Sequence, residues 1–291
     1  MSCYEFIAVE KAQHSITRLC RLLGVSRSGY YAWCRREPSR RHRVDQTLTA
    51  QIRTIHARSR TTYGAPRIHA ELRAQGVCCG RKRVARLMRG AGLVGCHRRR
   101  RRSLTRRATA DMVAPDLVQR RFQVHTPNQL WVADLTYLPT GEGWLYLAVI
   151  LDAFNRQIVG WAMAHHLRTE LVIEALNLAL WRRQPPPGVI HHSDRGSQYT
   201  ALTFGQRLQR SGLVASMGQA GDAYDNALVE AFFATLKSEL AATQPWPTRQ
   251  AARTAIFDYL ECWYNPQRRH SALGYLSPIE YERRWQHDQA A

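Results

Sequence analysis

A chain of 291 residues with 45% apolar side chains can bury one large core or two to three smaller ones, which excludes a disordered chain. No run of about 18 consecutive apolar residues occurs, and residues 1–10 lack a basic-then-apolar leader, so a cytoplasmic protein with neither membrane span nor secretory signal is expected. The net charge of +20 resides in residues 1–125, which hold 28 Lys/Arg against 7 Asp/Glu, while residues 126–291 hold 14 against 15. A basic arm on a nearly neutral domain points to polyanion binding joined to a second activity. The excess of Arg over Lys favours nucleic acid over a solubilising tail, because the guanidinium fork fits phosphate oxygens. The seven cysteines form no C-x-x-C pair and read as reduced thiols rather than a zinc site or disulfide framework.

In chain order, Ser15 to Arg36 carries Ile16, Leu19, Cys20 and Leu23 at helical spacing. Gly24 ends that helix, and hydroxyls in Val25 to Ser28 can cap the next, which bears Tyr30, Tyr31 and Trp33. This is a helix-turn-helix pattern, in which the start of the second helix faces the major groove: here Ser26, Arg27, Ser28 and Tyr30. A plain helical hairpin with core aromatics competes with that reading. Pro38 to Arg43 is a basic linker, and Leu48 to Arg58 is helical in pattern. Pro66 starts another helix, Gly76 and Gly80 bracket a turn, and Gly90 and Gly92 end a last helix. In this second helix-turn-helix candidate Arg81, Lys82, Arg83 and Arg86 lie at the start and on the exposed side of the second helix. A helical bundle with a solvated basic face is the alternative. Arg98, Arg99, Arg100, Arg101 and Arg102, with Arg106 and Arg107 nearby, form a self-repelling run that reads as a phosphate-tracking arm rather than a bare linker.

From Thr126 the pattern changes. Strands are predicted over Leu130 to Leu138, Trp144 to Leu151 and Gln157 to Ala164 on short turns, then a helix over Glu170 to Arg183 stopped by three prolines. A strand over Val189 to His192, a helix over Thr203 to Ser211 and a strand over Leu213 to Met217 follow. Ala227 to Leu240 and Thr248 to Trp263 read as helices. The order βββ-α-β-α-β-α-α makes an α/β fold, a mixed five-stranded sheet with flanking helices, preceded by all-α segments.

Asp134 lies on the first predicted strand, Asp194 just after the fourth, and Glu230 on the helix after the fifth. First and fourth strands can neighbour each other in such a sheet, and the helix can lay Glu230 across the two aspartates. Three carboxylates on separate elements suit hard divalent cations. Two Mg²⁺ (or Mn²⁺) held there serve in-line phosphodiester chemistry. Other candidates carry plainer readings. Asp225 and Asn226 read as helix caps, and Asp222 lies near them. Asp152 is either a turn acid or a support for the metals. His191 and His192 read as strand residues, since magnesium suits neutral nitrogen poorly. Gln198 and Tyr199 could touch DNA, Tyr199 equally belonging to the core. Arg268, Arg269 and His270 could bind phosphate or form a solvated turn.

The segments WVADLTYL, LDAFNRQIVGWAM, HHSDRGSQYT, GDAYDNALVEAFFATLKSE and YNPQRRHSALGYLSPIEYE, in this order, make the chain resemble the downstream-frame transposases of bacterial insertion sequences with two overlapping frames. That family shares its DDE (rve) catalytic core with retroviral integrases. The family pattern of Asp, Asp, 35 residues, Glu and a basic residue seven positions on is met by Asp134, Asp194, Glu230 and Lys237. The resemblance implies a ribonuclease-H-like fold and cleavage by water at the element's ends to expose a 3′-OH. That 3′-OH then attacks a phosphodiester, on a copy-out, paste-in route through a circular intermediate. It implies that Lys237 meets DNA near the scissile phosphate, where a surface lysine pairing with Glu230 or Glu239 is the alternative. Expected partners are double-stranded DNA, as terminal inverted repeats and target, a homo-oligomer on that DNA, and an upstream-frame product or fusion. The zinc-binding unit of the retroviral relatives is not matched, so no zinc is expected. The organisation expected is a helix-turn-helix segment over 1–37, a second over 45–96, and a basic linker over 97–125. An integrase-like catalytic domain with a C-terminal helical tail then fills 126–291. Two other functions remain open: a catalytically inactive DNA-binding regulator, and a nuclease of the same fold that only hydrolyses.

Overall fold

The structure is a computed structural model that describes residues 2–96, 114–119, 122–218, 226–240 and 246–290. Three short helices come first: α1 (Cys3–Glu10), α2 (Ile16–Leu22) and α3 (Arg27–Arg35). Each begins on a serine whose hydroxyl accepts a first-turn amide, from Glu5 to Ser2, Arg18 to Ser15 and Gly29 to Ser26. Gly24 stands at φ +64°, the left-handed conformation that turns the chain from α2 into α3. Ile7, Leu19, Cys20 and Tyr30 bury against one another as a core of their own.

Helices α4 (Arg40–Arg58), α5 (Ala65–Ala74) and α6 (Arg81–Gly90) follow. Pro66 sits in the first turn of α5, where its missing N–H has no helical acceptor to lose. Their apolar faces do not close on themselves. Leu48, Ile52, Tyr63, Ile68, Leu72 and Val84 belong to one cluster with residues of the sheet and the C-terminal tail. The junction is also polar. The Tyr63 ring lies 5.5 Å from that of Trp263, and its hydroxyl accepts from the Arg269 amide at 2.7 Å. Burial pushes this phenol up to about 12, so it stays neutral. Arg269 bonds Glu71 of α5 at 3.0 Å, and the Arg67 guanidinium donates to the Arg269 carbonyl.

The sheet has five strands: β1 (Leu130–Thr140), β2 (Gly143–Asp152), β3 (Ile158–Ala164), β4 (Ile190–Ser193) and β5 (Val214–Met217), in the order β3-β2-β1-β4-β5. β1, β2 and β3 are antiparallel neighbours, while β4 runs parallel to both β1 and β5. This is the mixed five-stranded sheet that the order βββ-α-β-α-β-α-α predicts. Helices α7 (Thr169–Arg183) and α8 (Leu202–Arg210) cover one face. α7 comes so close to β3 that a Cβ on Gly160 would stand 2.2 Å from the Ala175 carbonyl oxygen. α9 (Ala227–Leu240) and α10 (Arg249–Phe257) cover the other face.

Three features depart from the sequence reading. α1 is present where no helix is predicted, and α4 starts at Arg40, inside the predicted linker Pro38 to Arg43, while the expected helical tail ends in α11 (Pro278–Ala290). The helix predicted over Thr248 to Trp263 is α-helical only to Phe257 and continues as a π-helix over Asp258–Tyr264. The looser winding turns Tyr259, Leu260, Trp263 and Tyr264 inward together, and all four are buried.

Candidate active site

Asp134 and Asp194 become neighbours through strand register. Val132 of β1 pairs with His192 of β4, and each aspartate lies two residues beyond its member of that pair. On β1, Leu130, Val132 and Leu138 face the core beneath α9 while Trp131 and Ala133 face the α7 side, so alternation sets Asp134 toward α9. Both aspartates are half-buried. The Leu135 amide donates to Asp134 Oδ1 at 2.7 Å, and the Gly196 amide donates to Asp194 Oδ1 at 3.0 Å. One buried group senses both acids: the Tyr199 phenol is pushed well above its ordinary value by burial, then by the charges of Asp134 and Asp194.

The first turn of α9 is fastened to β1 beside this pair. The buried Asn226 side chain donates from Nδ2 to the Ala133 carbonyl at 3.1 Å, one residue before Asp134. Among the described residues its Oδ1 has no hydrogen-bond partner, so Asn226 holds the N-cap position through its carbonyl, which accepts from the Glu230 amide, and uses its side chain as a tether to the sheet. Eleven residues on, Lys237 Nζ lies 5.3 Å from the Tyr137 ring centroid. α9 therefore runs along β1, spanning roughly 16 Å of helix over roughly 13 Å of strand. Glu230 falls between these two fixed points, one turn in, with its amide bonded to the Asn226 carbonyl. Its side chain is exposed. Among the described residues no three His, Cys, Asp or Glu side chains are grouped to hold a metal ion. The two aspartates are thus adjacent, and Glu230 stands alongside without closing a three-acid cluster. A pair of half-buried carboxylates on neighbouring strands is a hard-oxygen donor set, which fits Mg²⁺ or Mn²⁺ in kind.

Several other candidates resolve into structural roles. Asp152 is fully buried at the far end of β2, paired in register with Trp131, and accepts from the Asn128 and Phe154 amides. Burial pushes its carboxyl up to about 6, and the charges that bear on it are those of Arg183 and Glu282. His191 and His192 are buried strand residues, and Tyr199 is core at 3% exposure. Arg268 and Arg269 are neither phosphate ligands nor a solvated turn. Arg268 grips Glu239 with two bonds, at 2.6 and 2.8 Å, with both side chains 4% exposed. Sequence gives no sign of this pairing, because the partners lie 29 positions apart.

Of the residues assigned to DNA in the helical units, Ser26, Arg27 and Ser28 are exposed at the start of α3. Tyr30 is a correction. It is 2% exposed, with its ring stacked 6.3 Å from Trp33, because this small unit needs that aromatic area for its core. Arg81 and Lys82 are exposed on α6, and Lys82, Arg83, Arg86 and Arg41 line a shallow cleft. Asp45 lies under it, bonded by Arg86 and Arg83, which hold its carboxyl below the usual range. Arg98 to Arg102, Arg106, Arg107, Asp222 and Asp225 lie outside the described residues.

Known proteins carry the same pieces. A family model described as an integrase core domain matches residues 124–223, a second integrase core model matches 211–278, and an HTH-like domain matches 43–102. A 31 kDa protein of insertion element IS600 from Shigella sonnei, itself uncharacterized, is 44% identical over 94% of this chain and 100% of its own length. Transposase InsF of insertion sequence IS3A from Escherichia coli K12 is 42% identical over 96% of this chain and 98% of its own. Among solved structures, the simian T-cell lymphotropic virus intasome in complex with the PP2A regulatory subunit B56 gamma has a chain that aligns with a TM-score of 0.46 and 14% identity, over 79% of this chain and 73% of that one. The HTLV-2 integrase catalytic core in complex with magnesium gives 0.41 and 17%, over 54% and 97%. Near full-length identity above 40% to such relatives, together with the matched core and HTH-like domains, shows that the chain belongs to the IS3-type insertion-sequence transposases with an integrase core.

Proposed function

We propose that this transposase cleaves the ends of its insertion sequence and joins the exposed 3′-OH to DNA at a site formed by Asp134, Asp194 and Glu230. The observation that carries the reading is the register of β1 and β4, with Asp134 and Asp194 each two residues past the paired Val132 and His192. Those two carboxylates and Glu230, swung in from α9, would hold two Mg²⁺ or Mn²⁺ ions. When bound, the ions activate the attacking oxygen and steady the leaving oxygen of an in-line displacement. In the first step water attacks the scissile phosphorus, the P–O bond to the 3′ oxygen breaks, and that oxygen leaves as a 3′-OH. In the second step the 3′-OH attacks a target phosphodiester and displaces a second 3′ oxygen. Lys237, one face of α9 along from Glu230, neutralises the neighbouring phosphate.

DNA is held by surfaces outside the acids: Ser26, Arg27 and Ser28 on α3, Arg81, Lys82 and Arg83 on α6, and Arg98, Arg99, Arg100, Arg101 and Arg102. Double-stranded terminal repeats and target DNA are the substrates. Two ends must be held together, so the working form is a homo-oligomer on DNA, with an upstream-frame product or fusion as a further partner. The test uses purified protein, labelled inverted-repeat ends and Mg²⁺. Joined strands are expected. Cleavage without joining would identify a nuclease, and binding alone a regulator. Asp134→Asn, Asp194→Asn or Glu230→Gln is expected to lower joining at least ~10³-fold, about 4 kcal/mol of barrier, with DNA affinity nearly unchanged. Parental joining by any of the three removes that residue from the site.

A further inference from the structure

Two large aromatic side chains stand exposed on the β1–β2 hairpin, on the strand that carries Asp134 and on its neighbour. Tyr137 of β1 is 57% exposed and Trp144 of β2 is 49% exposed, on strands that are otherwise largely buried. Tyr137 pairs with Tyr146 and Pro139 with Trp144, so Tyr137 and Trp144 are diagonal neighbours on one face of the hairpin. Their rings meet edge to face with centroids 5.0 Å apart. The ammonium of Lys237 lies 5.3 Å from the Tyr137 ring.

The position of this trio matters as much as its chemistry. Lys237 shares a face of α9 with Glu230, two turns away. Tyr137 lies three residues along β1 from Asp134, roughly 10 Å, an odd step that turns its Cβ to the other face of the strand; there β1 has run past its pairing with β4, and Lys237 of α9 reaches the ring. That span is about three stacked base steps at roughly 3.4 Å each. Exposed aromatic rings with an ammonium over one of them suit a base and its phosphate: a ring face stacks and the cation meets the backbone. A purely apolar protein partner suits it less, because docking would bury the Lys237 charge.

We infer that Tyr137, Trp144 and Lys237 form a stacking platform that receives a nucleobase swung out of the duplex at the DNA end being processed. This rests on the transposase reading above. Capture of the base holds the strand end open, so that its scissile phosphate can reach the carboxylates. Recognition is tolerant of sequence, since every base presents a π-face.

The full chain is mixed with duplexes of the inverted repeats flanking its coding DNA, with 5-iododeoxyuridine placed at successive positions near the cleaved end. Irradiation and peptide mapping should give a crosslink to Tyr137 or Trp144 from a position within about three nucleotides of the cut. In parallel, the parent should join ends with an opened terminal pair faster than fully paired ends. Tyr137→Ala and Trp144→Ala should lose that preference and join paired ends about tenfold more slowly, the order of one lost base–aromatic stack. Tyr137→Phe should keep both. Crosslinks that map only elsewhere overturn the platform, as does joining of paired ends within about twofold of the parent in both alanine variants. A change in oligomeric state of the DNA-free alanine variants would make the face a contact between copies and overturn it too. If the parent neither cleaves nor joins, the transposase reading fails and the crosslink alone decides the platform.

Discussion

Two helical units precede the sheet, alike in their turn glycines and basic second helices, and they relate to the sheet differently. α1–α3 close on their own small core of Ile7, Leu19, Cys20 and Tyr30. α4–α6 share a core with the sheet and tail, and are pinned there by Tyr63 against Trp263 and by Arg269 bonded to Glu71. A helix-turn-helix pattern therefore fixes the local turn and leaves open what the remaining apolar face meets. The Lys82 and Arg86 face of α6 thus stands in one frame with the acids, while α3 belongs to a unit with a core of its own.

The largest effects should separate the two units by stability. Tyr63 is fully buried at the shared junction, so Tyr63→Ala is expected to cost the main unfolding transition about 3–5 kcal/mol. Tyr30→Ala removes a comparable ring from α1–α3 and should leave that main transition where it was. Calorimetry with hydrogen exchange resolves the two. Equal shifts of the main transition from both variants would mean that the units are coupled and the comparison is wrong.

The same contrast shows what is readable from a single chain. Strands β1 to β5 and helices α7 to α9 follow from periodicity and turn residues, because each alternation or helical stripe is local. The adjacency of Asp134 and Asp194 follows from strand order, which the crossover pattern constrains. What escapes is nonlocal. Tyr30 reads equally as groove contact or core until its neighbours Tyr4 and Trp33 are known. Arg268 looks like a phosphate ligand until Glu239 is found beside it. The outward pose of Glu230 and the tether from Asn226 to Ala133 depend on where α9 lands on β1, which no spacing encodes. α1 and α11 are short or mixed in pattern, and α11 is held by a distant pair, Glu282 with Arg183 at 2.7 Å.

A smaller effect tests the independence of the first unit on DNA. Residues 1–37 hold six Lys/Arg against three Asp/Glu. Their removal should leave the main unfolding transition unmoved. It should also lower the salt slope of DNA binding by about two to three, at ~0.9 per lost phosphate contact. An unchanged slope, read from binding titrations across a salt series, would take α3 off the DNA. Extending the deletion to residue 107 is a different experiment, because it strips α4–α6 from the core they share with the sheet.

The smallest effect is a pH dependence that should belong to the main transition alone. His191 is buried between Tyr199 and Phe204, with ring centroids at 6.2 and 5.3 Å, and among the described residues neither of its nitrogens has a hydrogen-bond partner. Burial, with His192 beside it, pushes its pKa down to about 4 from 6.5. The folded state therefore keeps it neutral where the unfolded chain takes a proton. The stability this contributes is present above about pH 6.5 and is lost as pH falls toward about 4. Asp152 works in the opposite sense, its raised pKa of about 6 costing stability as pH climbs toward that value. His270, pushed down to about 2 by burial and by Arg268, works in the same sense as His191. Both remain in His191→Phe, so the difference between parent and variant isolates His191. The variant should lose about 2 kcal/mol less than the parent between pH 6.5 and 4. The smaller transition of α1–α3 should respond equally in the two proteins. Parallel stability curves for the main transition would mean that His191 is hydrated or hydrogen-bonded in solution. A difference confined to the smaller transition would place the titrating group in the wrong unit.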